Sequence, residues 1–276
     1  MKAALVQLNA SDDPSENLRD TAALIAEAAA QGEEIVLTPE VTNCVSQDRA
    51  HQQAVLHHED DDPSLTGLRE AAIREGVWLS IGSLAIKTDD TDGRFANRSY
   101  LIDPAGRIIA YYDKIHMFDV TVSETERYRE SAGYRPGDRA VVAETTLAKI
   151  GLSICYDIRF AYLYRALAQA GAEVLIIPSA FSPVTGAAHW EPLLRARAIE
   201  TGTFVLAAAQ TGTHRASAGK PRQTYGHSMA ISPWGEVLVD MGTAPGVAVV
   251  DLDLTEVAKG RKRIAALQHD RPFKGP

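Results

Sequence analysis

Cysteine is scarce in this chain: of 276 residues only Cys44 and Cys155 are cysteines. Two thiols exclude a disulfide framework and a four-cysteine zinc site. A single bridge between them stays formally open, and a reducing compartment argues against it. Long apolar runs are missing too. No stretch approaches the roughly 20 residues that span a bilayer, and Met1-Lys2 leads straight into A-A-L-V-Q-L-N with no secretory or transit signal. A cytoplasmic protein without membrane contact is therefore expected. Positive charge is not in excess, because the net charge is −8, which leaves no electrostatic footprint for nucleic acid. Nor is there a Pro/Gly/Ser-rich linker or a low-complexity break. That favours a single domain over residues 1–276, with a C-terminal tail from about residue 268.

Two local features run against these absences. The basic stretch K-G-R-K-R at 259–263 falls in a predicted terminal helix and reads as a solvated face. H-H-E-D-D-D at 57–62 has the composition of a metal tract but no ligand spacing on a defined element, and reads as an exposed acidic loop.

What is present is an α/β pattern. Strand-like runs recur at 3–8, 34–38, 77–83, 98–103, 107–112, 149–154, 173–177, 203–209, 226–231, 236–240 and 247–252. Helical stretches fall at 14–31, 64–75, 160–170, 188–201 and 255–267. D-P-A-G (Asp103 to Gly106) and S-P-W-G (Ser232 to Gly235) read as tight turns between adjacent strands. So many strands exceed what one open sheet comfortably carries, and a mixed-sheet α/β protein follows. Residues 39–62 and 114–140 look irregular, and long ordered loops tend to be functional. Each follows a strand and begins near a charged residue, Glu40 and Lys114, where α/β proteins keep their chemistry.

Cys155 closes the apolar run I-G-L-S-I-C and is followed by Y-D-I-R-F and an Ala-rich helical segment. A thiol at a strand end can be held rigidly towards a cleft, and nearby helix N-terminal amides would favour its thiolate. Alone, such a residue reads as a small buried hydrophobe rather than a nucleophile. Glu40, in L-T-P-E, alone reads as a solvated carboxylate, and Lys114, in Y-Y-D-K-I-H-M-F, as a surface lysine. Together they supply acyl transfer from an amide: a sulfur nucleophile, a carboxylate that moves protons, and a cation for the oxyanion.

L-T-P-E, Y-D-K-I-H-M-F and G-L-S-I-C-Y-D-I-R-F, in that order, resemble the three catalytic blocks of the nitrilase superfamily of carbon-nitrogen hydrolases. The resemblance runs from about residue 2 to about residue 272. It implies a four-layer α-β-β-α sandwich and a homodimer, with the helix near 160–170 and the C-terminal tail at the interface. It also implies a cofactor-free, metal-free reaction in which Glu40 is general base and acid, Lys114 stabilises the oxyanion and Cys155 is the nucleophile. Glu130, in Y-R-E-S-A-G-Y-R-P-G, is similar to the family's second glutamate and would orient Lys114; Glu124 and Glu126 are neighbouring carboxylates that read as solvated.

The segment from Pro178 to Glu200, A-A-A-Q-T-G-T-H and Y-G-H-S-M-A-I-S-P-W-G resemble the Nit branch. Its implied reactions are hydrolysis of deaminated glutathione to alpha-ketoglutarate and cysteinylglycine or, alternatively, omega-amidase action on alpha-ketoglutaramate or a similar short monoamide. S-A-F and R-A-R-A-I-E favour the first. Either substrate carries carboxylate. Substrate-binding candidates are Tyr156, Arg159, Ser179, Phe181, Thr185 and His189, with Tyr156 also offering its backbone N–H to the oxyanion. Arg195, Arg197 and His214 are further polar candidates, although Arg195 and Arg197 are two apart on a helix and at most one faces the site. His227 reads as a satisfied strand histidine. Two departures stand out: Ala161-Tyr162 where relatives carry Pro-Glu, and T-G-A-A-H-W-E where they carry T-G-P-A-H-W-E. The competing readings are a silent interaction protein with this fold, and a redox sensor in which Cys44 resolves Cys155.

Overall fold

The computed structural model describes residues 1–122 and 127–275; Glu124 and Glu126 lie outside these described residues. The chain opens with β1 (Lys2–Gln7), α1 (Pro14–Ala30), β2 (Ile35–Leu37), α2 (Arg49–Val55) and α3 (Pro63–Glu75), followed by β3 (Trp78–Ile86), β4 (Ala96–Ile102) and β5 (Ile108–Asp113). A small hairpin of β6 (Asp119–Thr121) and β7 (Arg127–Arg129) comes next. The second half runs through β8 (Val141–Glu144), β9 (Lys149–Leu152), α4 (Ala161–Gln169), β10 (Val174–Ile176), α5 (Pro183–Thr201) and β11 (Phe204–Ala207). It ends with a hairpin of β12 (Thr211–Thr213) and β13 (Gln223–Tyr225), then β14 (Met229–Ile231), β15 (Val237–Asp240), β16 (Gly246–Asp251) and α6 (Thr255–Arg263).

Twelve of these strands form two six-stranded sheets, in the orders β16-β1-β2-β3-β4-β5 and β15-β14-β11-β10-β9-β8. Within them β1, β2 and β3 are mutually parallel, as are β9, β10 and β11. The last strand, β16, returns antiparallel to β1, pairing Lys2 with Asp251.

Side chains alternate across a strand, and here both faces are covered. Ala3 and Leu5 of β1 enter a core shared with Ile150, Leu152 and Val174 of the second sheet. Ala4 and Val6 pack instead with Ile25 and Ala28 of α1 and with Leu65 and Leu68 of α3. Burial on both faces is why these strands read as unbroken apolar runs. On the far side α4 and α5 pack on β9 and β11, contributing Leu163, Leu167, Trp190 and Leu194 to the core. The four layers are the α-β-β-α sandwich that the family resemblance implies.

The helices start where local chemistry dictates. In α1 the Asp13 side chain accepts from the N–H groups of Ser15 and Glu16, with Pro14 in the first turn; in α3 Asp62 accepts from Leu65 N–H at 2.8 Å ahead of Pro63. Asp62 is therefore buried, and the acidic tract is not the wholly exposed loop expected; Glu59 pairs with Arg98 and with the Tyr100 hydroxyl. Both predicted turns are present, closed by Gly106 N–H to Asp103 O at 2.8 Å and Gly235 N–H to Ser232 O at 2.9 Å.

Several expectations need correction. The stretch 39–62 contains α2, capped by Asp48; its sequence R-A-H-Q-Q-A-V has too few apolar residues to show a helical period. The helix expected at 188–201 begins at Pro183, because proline is well placed in a first helical turn. The helix expected at 255–267 stops at Arg263. Its basic stretch is only partly solvated, since Arg261 donates to the carbonyls of Thr201 and Ala172 and Arg263 lies over Trp234.

Candidate active site

The site forms at the carboxyl ends of parallel strands, where backbone leaves the sheets. Glu40 follows β2 by three residues, Lys114 directly follows β5, and Cys155 follows β9 by three. Two non-glycine residues here sit in the left-handed region, Val41 beside Glu40 and Cys155 itself, each at φ 48°. Such strain persists only where surroundings enforce it, and it clusters at functional sites. The enforcement is visible. Cys155 N–H donates to Pro178 O at 2.9 Å, and Thr42 N–H donates to Ser83 O at 2.9 Å. Between them lies Gly82, where a Cβ would stand 2.0 Å from Thr38 O, 2.4 Å from Pro39 O and 2.5 Å from Pro178 Cβ. Only glycine lets the loops carrying Glu40 and Cys155 close on β3 this tightly.

Lys114 is the hub. It is 2% exposed, and Nζ donates to Glu40 Oε1 at 2.8 Å and to both Glu130 carboxylate oxygens at 2.9 Å. Three acceptors match the three ammonium protons. Asn97, on β4, bridges the two carboxylates: Nδ2 donates to Glu40 Oε1 at 2.9 Å and to Glu130 Oε1 at 3.3 Å. The Ala180 N–H donates to Glu40 Oε2 at 2.9 Å, and the Phe118 N–H to Glu130 Oε2 at 2.6 Å. The Cys155 thiol completes the group, interacting with the Glu40 carboxylate and the Ala180 N–H.

Burial alone would depress the Lys114 ammonium, but the Glu130 and Glu40 carboxylates hold it protonated well above the ordinary lysine range. Burial pushes Glu40 up and is outweighed by the Lys114 and Arg222 cations and by hydrogen bonds from Lys114 and Cys155, so its carboxyl lies below the usual range. Cys155 goes the other way: burial first, then the Glu40 carboxylate, push the thiol above its ordinary value. This corrects the expectation of a helix-stabilised thiolate. Cys155 begins a short 3-10 turn (Cys155–Arg159), not an α-helix, and the adjacent carboxylate dominates.

These groups floor a cavity of about 450 Å³, within the range of small-molecule sites. Of the substrate-binding candidates Tyr156, Phe181 and Thr185 line it. Arg159 stands behind that wall, 5.4 Å from the Phe181 ring and 5.8 Å from the Tyr156 ring, with its guanidinium on His189 Nδ1 at 3.3 Å. Neither Arg159 nor His189 lines the cavity, and Ser179 is buried, donating to Ile177 O. The helix neighbours Arg195 and Arg197 both turn elsewhere, to Gly235 O and to Ile158 O at 2.8 Å each. His214 is sealed between Ala10 O and Thr224, and burial pushes its pKa down to about 4. His227 lies outside the strand and meets Asp240 at 2.9 Å.

The cations that do line the cavity are Arg49, Arg127, Arg129 and Arg222. With Lys114 they make five positive side chains against the carboxylates of Glu40 and Glu130 among the described lining residues, so a chain of net charge −8 keeps a positive cavity. Arg222 donates from Nη2 to Ala180 O at 2.6 Å, and its buried Nε has no partner. Sequence reasoning misses both Arg222 and Asn97. Asn97 sits in A-N-R-S-Y-L-I, a strand with other polar residues beside it, and carries no local signal. Cys44 also lines the cavity, but burial, then Asp12 and Asp13, push its thiol up to about 12, and both cysteines are free. Such a thiol is a poor resolving partner. Among the described residues no cluster of metal-ligating side chains occurs, and no helix is long and apolar enough to cross a membrane.

Comparison with known proteins gives the same family. The carbon-nitrogen hydrolase family model matches residues 2–262. Deaminated glutathione amidase of Yersinia enterocolitica is 40% identical over 260 residues, covering 93% of this chain and 89% of that protein. Among solved structures, the C. elegans NitFhit protein superimposes with a TM-score of 0.89 at 34% identity over 98% of this chain, which spans 65% of that protein's length. A mutant of the amidase from Nesterenkonia sp. AN1, carrying the acetamide moiety of fluoroacetamide on its active-site cysteine, gives a TM-score of 0.79 at 26% identity, covering 98% of this chain and 94% of that one.

Proposed function

The chain belongs to the carbon-nitrogen hydrolase family and is a hydrolase of non-peptide C–N bonds, and from that premise we propose that it hydrolyses the amide of deaminated glutathione through a thioester on Cys155. The observation that carries this reading is the buried group in which Lys114 is held between Glu40 and Glu130 beside the Cys155 thiol. Because the resting thiol is protonated, Glu40 takes its proton as sulfur attacks the carbonyl. Lys114 governs that transfer. While it pairs with Glu40 the carboxylate is a weak base; once negative charge builds on the substrate oxygen, the ammonium turns towards it and Glu40 becomes the better proton acceptor. The bidentate contact with Glu130 is what can loosen to free an N–H without losing the ion pair. The Tyr156 backbone N–H is the second oxyanion donor. As the C–N bond breaks, Glu40 returns the proton to the departing amine. Water, deprotonated by Glu40, then cleaves the thioester and regenerates the thiol.

The relatives' activity supplies the substrate, and the positive cavity supports it: deaminated glutathione carries carboxylates on both sides of the scissile bond, and Arg222 stands beside Ala180, near the nucleophile, with donors to spare. Arg127 and Arg129 are exposed on the wall and would meet the leaving half. The test is turnover of deaminated glutathione against alpha-ketoglutaramate by purified protein, with mass spectrometry of the quenched enzyme. An acyl adduct on Cys155 and a preference for the larger substrate are expected; a large preference for the short one would make the enzyme an omega-amidase.

A further inference from the structure

Asp157 takes no part in the chemistry described above, yet its carboxylate is fully buried two residues past the nucleophile. Each of its oxygens meets two groups. Oδ1 accepts from His116 N–H at 3.0 Å and faces His116 Nδ1 at 2.6 Å. Oδ2 accepts from the Tyr112 hydroxyl at 2.7 Å and from Ile154 N–H at 2.8 Å. The Tyr112 hydroxyl in turn accepts from Ile115 N–H at 3.3 Å. Tyr112, Ile115 and His116 flank Lys114 in sequence, whereas Ile154 and Asp157 flank Cys155. One carboxylate thus ties the end of β5, in the first sheet, to the end of β9, in the second.

The His116 ring is fixed on its other sides. It stacks on Phe160 with centroids 3.5 Å apart, and Nε2 lies 2.5 Å from the Tyr162 hydroxyl. A buried carboxylate is costly unless every lone pair is used. Here the hydrogen bonds fall on the two segments whose separation the reaction must set.

We propose that Asp157 is a positioning residue for hydrolysis, holding the Lys114 ammonium and the Cys155 sulfur in register, with His116 keeping the carboxylate aligned. It rests on the thiol-amidase reading above. An oxyanion formed on Cys155 must fall within reach of Lys114, and a misplacement of about 1 Å can cost on the order of 100-fold in rate.

In Asp157→Asn the side chain keeps its shape, but an NH₂ group now faces donors, and one backbone N–H loses its acceptor. We expect kcat to fall about 100-fold with KM changed less than about threefold, a loss confined to the transition state. The second-order rate of Cys155 alkylation by iodoacetamide, measured well below the melting temperature, falls about tenfold or more. Tyr112→Phe keeps the carboxylate and removes one bond to it, so kcat drops about tenfold. A lowered melting temperature with wild-type kcat and alkylation rate would make Asp157 merely structural and overturn the proposal, as would a raised KM at unchanged kcat. Should Asp157→Asn fail to fold, Tyr112→Phe decides alone, and unchanged kcat and alkylation there overturn it. Absence of an acyl adduct in the wild type would sink the amidase reading instead, while the alkylation ratio still tests Asp157.

Discussion

Replacing Lys114 with methionine preserves length and removes charge. Glu40 then loses its 2.8 Å bond and Glu130 both of its 2.9 Å bonds, leaving two carboxylates, 5% and 13% exposed at the side chain, joined only through the Asn97 amide. Removing one partner of a buried ion pair costs about 3–5 kcal/mol. The variant's relief is to bind a proton, because two like charges at this spacing raise the pKa of one of them. That reverses the sign of the pH dependence. In the wild type Glu40 is held low, so its contribution is complete above the unfolded carboxyl pKa and is lost as pH falls through the folded one. Lys114 is held high, so its contribution is complete below the unfolded lysine pKa and is lost only as pH rises through the folded one. From about pH 5.5 to 8 both are therefore flat. In Lys114→Met the folded state keeps a proton that the unfolded chain has released, and stability declines as pH rises by up to about 1.4 kcal/mol per unit. At about 2–4 °C per kcal/mol for a large domain, that is roughly 3–6 °C of Tm per pH unit. Calorimetry of both proteins at pH 5.5, 6.5 and 7.5 reads the effect as a widening gap, and adding Glu130→Gln to the variant should close it. A gap constant with pH refutes the reasoning.

Three further outcomes are expected. Cys155→Ser should retain at most a trace of turnover, since an alkoxide is far harder to generate than a thiolate; initial rates near wild type would contradict sulfur as nucleophile. Gly82→Ala should lower unfolding stability in urea by about 3 kcal/mol or prevent folding, because the added carbon meets backbone oxygens that cannot give way; a stable, active variant would show that the Glu40 loop is less constrained than its contacts require. Arg222→Gln should raise KM for carboxylate-bearing amides by about tenfold or more, with a much smaller effect on a neutral short amide. Equal losses on both would assign Arg222 to holding Ala180 and nothing else.

The parts of this site that could be read from sequence are those carried by contiguous blocks at strand ends. Pro39-Glu40, Asp113-Lys114 and Ile154-Cys155 each combine an apolar run with a polar terminus, and local order alone announces them. Asn97 and Arg222 could not be read this way. Asn97 has meaning only because β4 lies beside both β3 and β5, which brings its amide between two carboxylates about 57 and 33 residues distant. Arg222 arrives on a hairpin too short to show a strand period. The same holds for β8, whose V-V-A-E is shorter than any window that distinguishes strand from loop. The protonation of Cys155 is illegible for a related reason: sequence shows the turn that follows the thiol but not the carboxylate that tertiary packing sets against it.

Glu40, Asn97 and Lys114 are presented by one sheet, Cys155 and Ala180 by the other, with Gly82 at the seam. Neither half holds a working set. A growing chain that has reached Lys114 at the end of β5 owns an acid and a base with nothing to activate, and the thiol added later is inert until the layers close. Hydrolysis therefore acts as a coincidence detector for its own assembly. Two fragments cut between β5 and β8, the second of which returns β16 to the edge of the first sheet, should be silent apart and active when mixed, so catalytic rate can report the docking of the layers in a way that spectroscopic signals of helix or strand content cannot.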